Sequence, residues 1–397
     1  MTSARTSSAP GAADLRKLAE ASYDPYLEDL RATVNVDCGT YLPAGVNQVA
    51  DLMQSRFADR GWRVERIPHA PPDSAARFGD ILVATLNGRR TDGRRVLLVG
   101  HMDTVFPEGT AAERPFRVHG STAYGPGVSD MKGGLLEGFY AVSCLQEAGF
   151  DDFGSITYVC NPDEEIGSPF SGPLILERAR SADVCFVLEG ARENGDIVSS
   201  RKGVQDTRIV YRGRAAHAGV EPERGRSATL QAAHTTIALH QMNGLWPEVT
   251  VNVGVIQGGT RPNVVAERCE LQVDLRAVTA KDFQEALDEL GRRAGHTVVP
   301  DVTVEVRAQS GFPPMEKTEA TAGLVARAKA LAGELGFELN DAATGGASDA
   351  NPVAAIGVPT LDGLGPIGGA DHAPGEWLDL DSVVPRMALL AGLIASP

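Results

Sequence analysis

Apolar residues recur along this chain with two different periods, and the switch between them divides it. Between 45 and 60, Val46, Val49, Leu52, Met53 and Phe57 repeat at helical spacing, and short apolar runs follow at Ile81–Leu86 and Val96–Val99. Helical patterning over 134–147, a strand-like run over 156–160, part of a helix over 174–180 and a buried-strand run over 184–188 continue the alternation. Strands alternating with helices predict a largely parallel sheet with helices on both faces. From about Gly203 the pattern becomes strictly period two: Val249, Val251, Val253 and Val255, then Leu271, Val273 and Leu275, then Val302, Val304 and Val306. Each is a strand with one wet face. With a strand near 207–211 and helices near 227–242 and 281–293, the order is β-α-β-β-α-β, the ferredoxin-like pattern. After about Gln309 the helical pattern returns, near 321–335 and 380–394.

The predicted fold class is therefore α/β: a domain with a mostly parallel central sheet, interrupted by an inserted ferredoxin-like α+β domain. The expected boundaries are a disordered tail over 1–13, the first part of the main domain over 14–202, the insertion over 203–309 and the second part over 310–397. A chain of 397 residues, 43% of them hydrophobic, is long enough for two cores. The tail is rich in Ser, Ala and Thr and lacks the apolar run of a secretory signal. No window approaches the ~18–20 consecutive apolar residues of a membrane span, so no membrane partner is expected. The net charge of -15 argues against nucleic acid and anionic membrane surfaces as partners and leaves small molecules. Cys38, Cys144, Cys160, Cys185 and Cys269 are odd in number and never form a C-x-x-C pair, which points away from a disulfide framework and fits a reducing cytoplasm.

Candidate chemistry gathers where apolar runs stop. The run from Val96 ends in His101-Met102-Asp103, and two polar groups at period two on a strand's carboxyl end point the same way. Asp130 lies in the glycine-rich turn from Gly125 to Gly134, which has no G-K-[ST] ending and so suits a metal better than a phosphate. Glu164-Glu165 follow a strand, Glu189 follows another, and His372 sits in a Gly/Pro loop. His101, Asp130, Glu165, Glu189 and His372 mix imidazole and carboxylate donors, which suits zinc, cobalt or manganese. Five ligands exceed what one tetrahedral zinc needs, and two metals sharing a bridging carboxylate is the simplest interpretation. Asp103 is placed to orient the His101 ring, the alternative being a loop aspartate. Glu165 as ligand leaves Glu164 as general base. His217, just past the insertion's first strand, is either a surface histidine or a donor to a developing oxyanion. Asn263 and Arg276 sit where they could grip a substrate carboxylate, with surface ion pairing as the alternative for the arginine.

These residues resemble peptidase family M20, dinuclear zinc metallopeptidases, and most closely its glutamate carboxypeptidase branch. The likeness spans nearly the whole chain after the tail. It rests on Gly100-His101-Met102-Asp103-Thr104-Val105, on Tyr124 to Gly134, and on Asn161-Pro162-Asp163-Glu164-Glu165-Ile166-Gly167-Ser168. It continues through His217-Ala218-Gly219, Arg261-Pro262-Asn263-Val264-Val265, Gly345-Gly346-Ala347-Ser348-Asp349-Ala350 and the His372 loop. The resemblance implies two Zn2+, with Co2+ or Mn2+ also suited. Asp130 would bridge them, His101 and Glu189 completing one site and Glu165 and His372 the other. It further implies that the insertion is a lid and dimerisation domain forming a homodimer, with His217 reaching the partner's active site. Where many relatives carry a second aspartate, this chain has Met131. The expected activity is hydrolysis of an amide bond in an N-acyl amino acid or short peptide, releasing an amino acid whose carboxylate Arg276, Asn263 and the Gly345-Gly346 backbone orient. The alternatives are an acetylornithine or succinyl-diaminopimelate type of deacylase, or a catalytically silent peptide-binding relative.

Overall fold

The structure is a computed structural model that describes residues 9–70 and 76–396. Of the tail expected over 1–13, residues 1–8 lie outside the described residues, and the first helix, Ala12–Val34, already includes Ala12 and Ala13. The chain forms two compact units. The first comprises the chain up to Ser199, Lys317–Ala343 and the chain from Pro352 onward; the second comprises Ser200–Glu316 and Thr344–Asn351. Thr344–Asn351 therefore groups with the inserted segment and not with the second part of the main domain. Hydrogen bonds explain this: Arg276 Nη1 donates to Gly345 O at 2.7 Å, Arg201 Nη1 to Gly346 O at 3.2 Å, and Asn351 Nδ2 to Lys202 O at 3.1 Å.

The first unit is built on a six-stranded sheet in the order Arg63–Ile67, Ile81–Asn87, Ser155–Asn161, Arg95–His101, Val184–Val187, Thr360–Leu361. Its first two pairings are antiparallel and the remaining three parallel, so the sheet is mixed, with the expected parallel part at its centre and one edge. The link from Asn87 to Arg95 is too short to carry a crossover helix, and a chain without one must reverse direction. Period-two burial follows: Leu82, Ala84, Val96, Leu98, Tyr158 and Phe186 join one core with helices Ala12–Val34, Gly133–Glu147, Glu319–Leu335 and Val383–Ala395. Ile81, Val83, Leu97, Val99, Val159, Cys185 and Val187 are buried outside that cluster, on the opposite face. His101 pairs with Asn161 and Val99 with Val187, so the loops after these three parallel strands, which carry the candidate ligands, leave the same sheet edge.

That core holds one costly group. Glu137 is fully buried, neither carboxylate oxygen has a hydrogen-bond partner, and burial pushes its carboxyl well above the ordinary 4.5, against the opposing charge of Arg386. Arg386 spends its guanidinium on the carbonyls of Gly365, Gly363 and Gly195. A folded-state pKa raised above the unfolded one gives stability that is fully present below the unfolded pKa and is lost as pH rises toward the folded value. Glu137→Met is therefore expected to stabilise the protein at pH 8 by about 1–3 kcal/mol, with a smaller gain at pH 5. Thermal unfolding at both pH values checks it; an equal or larger gain at pH 5 would be contrary to this account.

The second unit is a four-stranded antiparallel sheet in the order Thr250–Gly258, Arg268–Ala277, Gly203–Arg212, Thr303–Phe312. In chain order these strands are 2-3-1-4, the ferredoxin-like arrangement. Helices Ala228–His240 and Ala280–Gly295 cover one face, packing Ala232, Leu239, Ala286 and Leu290 against Ile209, Leu271 and Leu275. Ser227 and Thr279 cap them by accepting from Leu230 N and Asp282 N. The other face is polar, with Arg208 forking onto Glu270 at 2.6 and 2.7 Å.

Candidate metal centre

Five segments of the first unit converge. His101 ends its strand with the ring buried, and Nδ1 lies 2.9 Å from Asp103 O and 3.4 Å from Asp103 Oδ1. The Asp103 carboxylate, fully buried, accepts from Thr40 Oγ1 at 2.6 Å and from the backbone N–H groups of Glu164 and Glu165 at 3.2 and 3.3 Å. One aspartate thus fixes both the histidine and the turn carrying the paired glutamates. Asp163 closes that turn from behind, accepting from Phe170 N at 2.6 Å and Ser171 Oγ at 2.5 Å.

Asp130 precedes the helix Gly133–Glu147, across a cis peptide bond to Met131. Gly134 lets that helix start against the strand bearing Glu189, since a Cβ there would come within 1.8 Å of Leu188 O. His372 arrives through a small sheet in which Trp377 pairs with Tyr124, setting its loop beside the Gly125–Lys132 turn. Between those elements lies Glu376, 1% exposed, whose carboxylate accepts from Gly127 N at 2.9 Å, Ser129 N at 2.8 Å and Asp130 N at 3.0 Å.

The donor atoms fall into two sets that share Asp130 through different oxygens. His101 Nε2 is 3.0 Å from Asp130 Oδ1 and 3.7 Å from Glu189 Oε1. His372 Nε2 is 3.0 Å from Asp130 Oδ2 and 3.1 Å from Glu165 Oε2. Glu164 also converges: one ligand atom each from His101, Glu164 and Glu189 lie within 4.8 Å of one another, as do those of His101, Asp130 and Glu165. The electrostatics mark a cation site. Burial alone would depress the His101 pKa, yet Glu189, Asp103 and Asp130 hold it well above ordinary. Asp130 and Glu165 raise His372 to about 10. Burial opposes ionisation of Asp130, but hydrogen bonds from both imidazoles hold it below the usual range. Glu165 is pushed up by burial, and its Oε1 is buried with no hydrogen-bond partner. Carboxylates crowded around two imidazoles, one oxygen orphaned, fit a divalent cation with nitrogen and oxygen ligands.

Residues 97–396 match the peptidase family M20/M25/M40. Carboxypeptidase G2 of a Pseudomonas species is 31% identical over 371 residues, covering 93% of this chain and 88% of the relative. The chain belongs to peptidase family M20. It is a metal-dependent hydrolase of the metallopeptidase and amidohydrolase kind, as its M20 membership and metal-ligand chemistry agree. Acetylornithine deacetylase of Edwardsiella ictaluri is 28% identical over 86% of this chain and 89% of that protein. The crystal structure of aminopeptidase PepT from Bacillus cereus shares the M20 fold with a TM-score of 0.74 at 22% identity, covering 94% of this chain and 98% of that one.

The other residues singled out in the M20 sequence lie in the second unit. His217 is exposed, and its Nδ1 accepts from Gly219 N at 3.2 Å; Ala218 N donates to Asn263 O at 3.0 Å, so those two loops adjoin. Arg276 pairs with Asp274 at 3.1 Å while donating to Gly345 O, and Gly346 O is held by Arg201. Sequence reasoning missed Glu376 and Thr40. Glu376 had a faint signal, a carboxylate four residues after His372 and directly before an apolar strand; Thr40 had none.

Proposed function

We propose that the protein hydrolyses the amide bond of an N-acyl amino acid or short peptide as a carboxypeptidase, with two zinc ions that would be held by His101 and Glu189 and by Glu165 and His372, Asp130 serving both sets. The observation that supports this most is the division of the two Asp130 oxygens between two imidazole–carboxylate pairs. Zinc bound there would supply Lewis acidity for acidifying water and polarising a carbonyl oxygen. Glu164 takes the proton of the attacking water on a carboxylate oxygen and returns it to the leaving amine nitrogen, which completes the cleavage. Asp103 keeps the His101 ring and the Glu164–Glu165 backbone in register while this happens. Arg276, Asn263 and the Gly345-Gly346 backbone are the proposed partners of the substrate α-carboxylate, and His217 that of the carbonyl oxygen.

The zinc-reconstituted protein is expected to release amino acid from N-acyl-glutamate, with N-acyl-aspartate and N-acyl-ornithine measured alongside. Turnover confined to N-acyl-ornithine would move the assignment to a deacylase, and no turnover of any of the three would leave a peptide-binding relative. A reducing cytoplasm is the proposed location, in keeping with five cysteines that are all buried thiols; among the described residues no helix is long and apolar enough to cross a membrane.

A homodimer through the second unit is part of the proposal. Leu230, Ala233, His234, Ile237 and His240 form an exposed stripe on the helix Ala228–His240, and the strand Thr250–Gly258 is a sheet edge with Val255 and Ile256 exposed. A second copy covers both at once by edge pairing. Light scattering is expected to give twice the chain mass, falling to one chain in Ile237→Asp; a monomeric wild type refutes it.

A further inference from the structure

Beside the candidate centre lies a cavity of about 460 Å3 walled by Tyr41, Leu42, Val105, Phe106, Pro107 and Ile166, with Glu165 among its lining. Every one of these residues belongs to the first unit. Among the described residues of this unit the exposed large apolar side chains are Tyr41, Val105, Val118 and Ile356, and two of the four line this cavity. Its walls are held in place. Phe106 N donates to Thr104 Oγ1 at 3.4 Å, and the outer face of the Phe106 ring carries the Arg114 guanidinium at 4.7 Å. Arg114 in turn donates to Ala373 O, next to His372, at 3.4 Å. Tyr41 leans on Phe78 with ring centroids 5.9 Å apart. Thr40 lines the cavity but commits its hydroxyl to Asp103 at 2.6 Å.

Two features define what fits. The volume lies within the range of small-molecule pockets, about 300–1,000 Å3, and is more than a two-carbon group fills. The charges present are the carboxylates Glu108 and Glu165, and no lysine, arginine or histidine is among the described lining residues. An anionic end of the occupant, seated away from the candidate centre, would meet Glu108 with no basic lining residue to offset it. Because Glu165 Oε2 faces His372 at 3.1 Å, a group seated here abuts the metal ligands.

We propose that this cavity receives the acyl group of the substrate and that the preferred acyl group is apolar and uncharged, an alkyl chain or ring larger than acetyl. This rests on the amide-hydrolase reading above and narrows it. The test is kcat/KM of the zinc-reconstituted full chain for the N-acetyl, N-hexanoyl and N-succinyl derivatives of L-glutamate and of L-alanine. Each buried methylene is worth roughly four-fold, so hexanoyl is expected to exceed acetyl by on the order of 10² with either amino acid. Succinyl is expected at or below acetyl. Val105→Asp should cut the hexanoyl-to-acetyl ratio roughly ten-fold, a loss comparable to removing one or two buried methylenes, whereas Val118→Asp, at an exposed apolar site outside the cavity, should leave the ratio intact. Hexanoyl and acetyl derivatives turned over at similar efficiency, or a ratio that Val105→Asp does not move, would overturn the acyl pocket while leaving the hydrolase standing. If none of these substrates is hydrolysed, the proposed hydrolysis of N-acyl amino acids falls and the pocket with it.

Discussion

Glu164→Gln is expected to lower kcat by about 10²–10⁴-fold while the protein still binds metal and folds normally. The substitution keeps side-chain volume and hydrogen-bonding reach but removes the lone pair that accepts the water proton. Its backbone N–H remains anchored on Asp103 at 3.2 Å, so the turn and the adjacent ligand Glu165 have no reason to move. The effect should fall on kcat and kcat/KM together, because the proton transfer belongs to the transition state and not to substrate binding. Steady-state kinetics beside a metal analysis of the same sample decide the matter. Near-normal turnover in metal-loaded Glu164→Gln would remove this residue from the mechanism.

Asp130→Asn is expected to weaken metal binding by more than 10²-fold, beyond the 10–100-fold typical when an outer partner is lost. Asp130 is the group on which the two donor sets depend, with one oxygen 3.0 Å from His101 Nε2 and the other 3.0 Å from His372 Nε2. Asparagine offers one neutral oxygen and one NH2, so a shared anionic bridge becomes impossible. Glu376→Gln makes an informative comparison. It reaches the metal ligands only through the backbone, holding three N–H groups of the Asp130 turn. A loss of 10–100-fold in affinity is expected there. Equilibrium dialysis with zinc reads both variants, and wild-type affinity in Asp130→Asn would contradict the shared-carboxylate arrangement.

Most of the proposed ligand residues were legible because each follows a run whose period is clear. Val96–Val99 and Val184–Leu188 are too apolar to be anything but buried, so His101 and Glu189 stand out as polar groups at strand ends. What the pattern could not carry was direction. Period two is the same in parallel and antiparallel strands, and the antiparallel pairing of Ile81–Asn87 with Ser155–Asn161 follows from the short link to Arg95 rather than from any residue in the strand. Short elements were also invisible. Gly368–Gly369 and Trp377–Asp379 are too brief to show a period, yet their sheet brings His372 and Glu376 to the Asp130 turn. The helix Ala12–Val34 buries Leu15, Ala19, Tyr26, Leu30 and Val34 in a stripe, which Pro25 in its middle disguises. Gly345 and Gly346 belong with the second unit through bonds to Arg201 and Arg276 that lie far away in sequence.

The central claim is a two-cation centre whose halves share Asp130, and zinc stoichiometry tests it most directly. Metal-free protein titrated with zinc under equilibrium dialysis, with amidase activity followed at each step, is expected to bind two equivalents per chain and to reach full activity only as the second is filled. One equivalent per chain with full activity would contradict it.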